Sequence, residues 1–135
     1  MSRSLAYAAN TQEQVIGAGG VINFGNAIRR YGCNCNISGG NATVKGNGYY
    51  TLSAAVTLLA TAAGTAVITL YKNGVAIPGA TASATLVAGN TYQLNIPAAV
   101  TRETGCGCAD ASTITAVVSG TGFTATNAAV TVVKE

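Results

Sequence analysis

Two Cys-x-Cys pairs, Cys33-Asn-Cys35 and Cys106-Gly-Cys108, are the residues of this chain best suited to chemistry. Each stands in a Gly/Asn-containing segment just ahead of an expected strand. Thiols that meet in space can do one of three things. They can close two disulfides, each contributing about 2–4 kcal/mol where the geometry is unstrained. They can hold a tetrahedral zinc, although the usual hairpin spacing is Cys-x2-Cys or longer. Or they can stay as free buried thiols, the ordinary state in a reducing cytosol. Arg29, Arg30 and Arg102 lie near these segments and would favour a thiolate if they approached it. In all three cases Cys33, Cys35, Cys106 and Cys108 form a structural clamp, and spacing leaves the choice open.

Catalysis has little else to draw on. The chain has no histidine, which removes the commonest general base, the standard triads and imidazole metal ligands. Of the acidic residues Glu13, Glu103, Asp110 and Glu135, only Glu103 and Asp110 are close in sequence, too thin a basis for a paired-carboxylate hydrolase. Gly17-Ala-Gly-Gly20 is no phosphate cradle, because β-type sequence follows it and no Lys-Ser/Thr does. The expectation is a non-enzymatic protein with no cofactor, save the structural zinc that the cysteines leave open.

Charge is the next signal. Seven basic and four acidic residues among 135 make 8% of the chain, against about a quarter in an average globular protein. A sheet protein this poor in charge is expected to cover part of its outer face with copies of itself. The one local basic cluster, Arg29-Arg30-Tyr31, reads as a solvated loop or an inter-subunit contact. Nucleic-acid proteins carry a denser basic stripe, so nucleic acid is not expected as a partner. No stretch approaches the roughly 20 apolar residues of a membrane helix. The first ten residues lack the apolar run of a signal peptide, so synthesis in a cytosol is expected. On that basis the sequons at Asn36 and Asn41 are coincidental.

The elements that must position these residues are strands. Residues 1–14 are polar and without periodicity, and read as an arm or a loosely paired first strand, ahead of a domain over 15–135. Val15 to Phe24 reads as a strand broken by glycines, and Asn36 to Lys45 as a hairpin with Gly39-Gly40-Asn41 at its tip. Gly48 to Ala60 is the clearest strand. Tyr50, Leu52, Ala54, Val56 and Leu58 share a core face; Tyr49, Thr51, Ser53, Ala55 and Thr57 share the other. That second face is small and uncharged, which suits a subunit interface, with the outward Tyr49 as a candidate anchor. Its Ala/Leu content makes 52–63 a competing helix, but the alternation and the threonines favour strand. Ala66 to Lys72 and Val75 to Val87 form a hairpin around Asn73-Gly74, with Pro78-Gly79 forcing a bulge that suits an edge. Thr91 to Val100, Ser112 to Ser119 and Phe123 to Val133 complete an antiparallel sandwich of about eight to ten strands. No segment supplies a crossover helix, and the long connections favour a jelly roll.

The run GYYTLSAAVTLLA, AVITLYKNGVAIPG, TYQLNIPAAV, STITAVVSG and AAVTVVKE, over roughly 15–135, resembles the jelly rolls of the tumour-necrosis-factor and complement globular-head family. It is most similar to the bacterial branch, found at the tips of spore-surface collagen-like proteins and in small phage proteins. The resemblance implies a homotrimer in which the Gly-x-Tyr strand packs around a threefold axis. That places Tyr49, Thr51, Ser53, Ala55 and Gln93 at the subunit interface. The chain departs from the spore-surface proteins in having no Gly-X-Y stalk. A freestanding jelly roll of this kind looks like a capsid decoration or head-fibre protein, docked by its polar N-terminal arm on a phage major capsid protein at the virion exterior. The alternative is a tip or adhesin module of a bacterial surface, spore or tail fibre that binds glycans or proteins.

Overall fold

The computed structural model describes residues 4–32, 34–45, 48–103 and 111–134. Every element among them is a strand, and the strands form two packed antiparallel sheets. The first sheet has the order β3 (Ala27–Tyr31), β1 (Ser4–Asn10), β11 (Phe123–Lys134), β6 (Gly48–Leu59), β9 (Thr91–Glu103), with β2 (Gln14–Ile16) also paired to β11. The second runs β4 (Cys35–Ser38), β5 (Asn41–Lys45), β10 (Ala111–Gly120), β7 (Gly64–Lys72), β8 (Val75–Leu86). Neighbours in space are mostly distant in sequence, as in a jelly roll. The fold is the jelly-roll sandwich that the strand pattern implied.

The alternation over β6 is realised residue by residue. Tyr50, Leu52, Ala54, Val56 and Leu58 are buried, while Tyr49, Thr51, Ser53, Ala55 and Thr57 face out. The competing helix over 52–63 does not form, because β6 is held on both sides by β11 and β9. Across the sandwich, Ile68, Leu70, Ile114 and Val118 supply the facing half of the core. The β7–β8 turn has Asn73 at φ 51° and Gly74 at φ 83°, the two left-handed residues of a tight hairpin. Opposite Leu70 the register slips between Thr69 and Tyr71, so that Ile77–Ala80 bulge at Pro78-Gly79 on β8, an edge strand as expected.

Three expectations need correction. Of the two readings offered for residues 1–14, the arm fails over 4–10 and the first strand holds: they are β1, paired to β11 on one side and β3 on the other. Ala6 and Ala8 are fully buried there, so the sandwich begins ahead of residue 15. Arg29-Arg30-Tyr31 is not a loop but the exposed end of edge strand β3. Val15 to Phe24 is not one strand. It leaves β11 after Ile16 and crosses to the other sheet, where Val21 bridges Val117 and the Ile22 amide donates to the Ala116 carbonyl at 2.9 Å. Asn23 fixes this crossing, accepting from the side-chain amides of Asn10 and Gln14, each at 2.9 Å.

Candidate functional site

Strand register assembles the outward face of the first sheet around β6. Thr51 lies between Val133 of β11 and Val100 of β9, and Ala55 between Ala129 and Asn95. Thr57 lies between Asn127 and Gln93. Beyond β11, β1 adds Leu5 beside Val133 and Tyr7 beside Thr131. The five residues singled out from sequence, Tyr49, Thr51, Ser53, Ala55 and Gln93, therefore stand on one continuous surface. No charged residue occurs in its described centre. Charge enters only at the margins, where Arg29 pairs with Tyr7 and Arg102 with Tyr49 in register.

The surface is not flat. Between Leu52 and Ala54 the register with β9 slips, because β9 carries an extra residue in the stretch that contains Pro97. Proline has no amide hydrogen for the ladder, so a bulge is where a paired strand tolerates it. At this point Ser53, Ala55, Asn95, Ala129 and Thr131 line a depression of about 220 Å³. Small neutral side chains around a shallow hollow offer close approach to another backbone and no charge to desolvate.

Of the residues that build this face, the sequence reading missed Leu5, Tyr7, Ala129 and Thr131. The signal for β11 was its alternation. For β1 there was almost none, since its inward Ala6 and Ala8 differ little in polarity from the outward Ala9.

A larger groove of about 490 Å³ opens where β8 meets the edge of β9, between Val75, Pro78 and Val100. Val75 and Val100 are exposed there. Among its described lining residues, Lys72 is the one with an ionisable side chain.

The cysteine positions are only partly in view. Cys33, Cys106 and Cys108 lie outside the described residues. Cys35 is fully buried at the start of β4, and no disulfide joins it to a described residue. It pairs with Val44, which pairs with Ser112, so β4 and the strand that follows 104–110 start at one end of one sheet, two strands apart. Burial pushes the Cys35 thiol up to about 11, outweighing the pull of Lys134 and Arg30 toward the thiolate. Of the three arginines near the cysteines in sequence, Arg30 pulls toward the thiolate at Cys35, and desolvation outweighs it. Among the described residues no group of three or more His, Cys, Asp or Glu could hold a metal ion.

Asn34, the middle residue of Cys33-Asn-Cys35, locks this end of the sandwich. Its side chain donates to the Lys45 carbonyl at 2.8 Å, and its Oδ1 accepts from Ser4 Oγ at 3.0 Å. The Tyr50 hydroxyl donates to the same Lys45 carbonyl, tying β6 to the opposite sheet.

No protein-family model matches the sequence, and no curated protein matches it. Solved structures do match. The chain superposes on Eiger TNF from S. frugiperda with a TM-score of 0.70 and 8% identity, covering 98% of this chain and 91% of that one. The globular domain of zebrafish complement 1qA gives 0.63 at 10% identity, over 96% and 94%. PRD1 vertex protein P5 gives 0.62 at 9% identity, over 98% and 96%. At such identities the likeness defines the fold: a jelly-roll sandwich of the tumour-necrosis-factor and complement-head type.

Proposed function

We propose that this chain is a non-enzymatic structural module that closes into a threefold homotrimer through the outer face of its first sheet, and that the trimer decorates the exterior of a phage capsid. The uncharged face around Ser53 and Ala55 carries the reading. A sheet face left in water is ordinarily strewn with charge, and one bounded by Thr, Ser, Ala and Asn is inexpensive to desolvate. The likeness to a vertex protein supports the virion role. No described helix is long and apolar enough to cross a membrane.

In this reading the cysteines clamp the end of the fold and take no part in a reaction. A thiol count with elemental analysis on anaerobically purified protein distinguishes disulfides, zinc and free thiols. The oligomer is tested by light scattering at micromolar concentration, where three times the subunit mass of 13.3 kDa is expected. A monomer there overturns the proposal. The capsid role is tested by binding to purified phage heads stripped of decoration, and failure to bind removes it.

A further inference from the structure

The described charged residues are segregated along the sandwich. Lys134 pairs with Tyr50, Arg30 with Ala6, Arg102 with Tyr49, Lys45 with Ala111 and Lys72 with Val75, all at the end where β1 begins and β11 finishes. Arg29 is one residue further in, beside Tyr7. At the opposite end, the connections 60–63, 87–90 and 121–122 hold no charge, and Glu13 is the only charged residue described there. Residues 61–63 and 87–90 are exposed to water. Hydration alone would therefore suit charge at either end, so it does not explain the segregation.

We propose that the basic end docks onto an acidic protein surface, with the neutral end pointing away. The inference rests on the reading of the chain as a surface-mounted module and names the end that meets the surface. Charge complementarity sets the sign of the partner, because six basic residues stand there with Glu103 as the one described acid. The arrangement sets its class. Arg30, Lys45, Lys72, Arg102 and Lys134 each come from a different strand and ring the end rather than forming a stripe. Phosphate backbones select dense single-sign stripes. Arginine beside exposed tyrosine is instead the composition of protein interfaces. Tyr31 is 69% exposed among these charges. Lys134 is buried and adds field rather than contact. A threefold assembly would repeat the ring three times on one rim, multiplying weak contacts.

The test compares two variants of equal net charge. Arg29→Ser/Arg30→Ser removes two positive charges from the basic end, and Ala62→Glu/Ala88→Glu adds two negative charges at the neutral end. Binding to a poly-L-glutamate surface and to duplex DNA is measured at several salt concentrations, with light scattering on every sample. The expected result is salt-sensitive binding to polyglutamate that the first variant weakens by about tenfold and the second by less than about twofold. Equal losses, or no binding by the native chain, would overturn the proposal, as would tighter binding to DNA. A native chain that binds through its basic end but scatters as a monomer supports the docking end and removes the trimer, so the two failures are told apart.

Discussion

Asn34 and Ser4 exchange two hydrogen bonds across the end of the sandwich. The Ser4 hydroxyl donates to Asn34 Oδ1 at 3.0 Å and accepts from the Asn34 amide at 3.2 Å. Ser4 is 1% exposed, so these bonds satisfy a hydroxyl that water hardly reaches. With the Asn34 side chain also donating to the Lys45 carbonyl, one residue joins the first strand of one sheet to a hairpin of the other. Asn34→Ala strips the side-chain partners and leaves Ser4 and Lys45 under-satisfied. A loss of about 1–3 kcal/mol is expected, read as a lower urea midpoint with unchanged slope.

The Cys35 thiol gives a pH signature. Its folded value is about 11 against an ordinary 9.0. Below 9 the thiol is protonated in both folded and unfolded chains and contributes no pH dependence. Between 9 and 11 the unfolded chain loses this proton while the folded chain keeps it, so the native state loses stability as pH rises. The slope from this group approaches 1.4 kcal/mol per pH unit at most, on the order set by proton linkage. Other groups titrate in the same range, so the measurement is a difference. Native stability relative to Cys35→Ala should fall between pH 9 and 11 and be flat from 6 to 8. A flat difference throughout would mean that the thiol ionises as readily folded as unfolded.

Gly120 closes the β10–β11 turn at φ 79°, and a Cβ there would run into the Thr65 carbonyl of the neighbouring strand. Gly120→Ala meets both a left-handed backbone penalty and a backbone clash. A destabilisation of about 2–4 kcal/mol is expected in thermal or urea unfolding. Gly74, at a similar φ of 83° but with open space around it, provides the control. Gly74→Ala should cost only the conformational part, about 1–2 kcal/mol.

Why some elements were readable in the sequence and others were not follows from how each is held. The register of β6 was legible because Tyr50, Leu52, Val56 and Leu58 contrast sharply with threonine and serine at alternate positions. Asn73-Gly74 and Pro78-Gly79 were legible because their backbone needs are local. β1 was legible only as an alternative to an arm, and β3 was not legible. Ala6 and Ala8 give no contrast, and β3 is a short run with two charged residues at its centre; β1 is held by β3 and by distant β11, and β3 pairs with β1. The crossing at Gly17–Phe24 depends on where β10 lies, a non-local fact that no window of sequence holds. The candidate face was half visible for the same reason. Its β6 column was readable, while its β1 and β11 columns wait on register.

The centre of that face tests the assembly directly. Ala55 lies between Ala129 and Asn95, with its side chain outward and no charged neighbour in register. Ala55→Glu leaves the core untouched, so a lone subunit should accept it at a cost within about 0.5 kcal/mol. In an assembly closed over this face, each copy would bury a carboxylate with no cation opposite, a penalty of several kcal/mol per ion. Light scattering should therefore show subunit mass while circular dichroism keeps the native sheet signal. Thr115→Glu, at a half-buried outward position of β10 on the other sheet, should leave the mass unchanged. If both variants kept the native mass, the neutral face would be open to water, and the closed trimer would have to be built on a different surface of the sandwich.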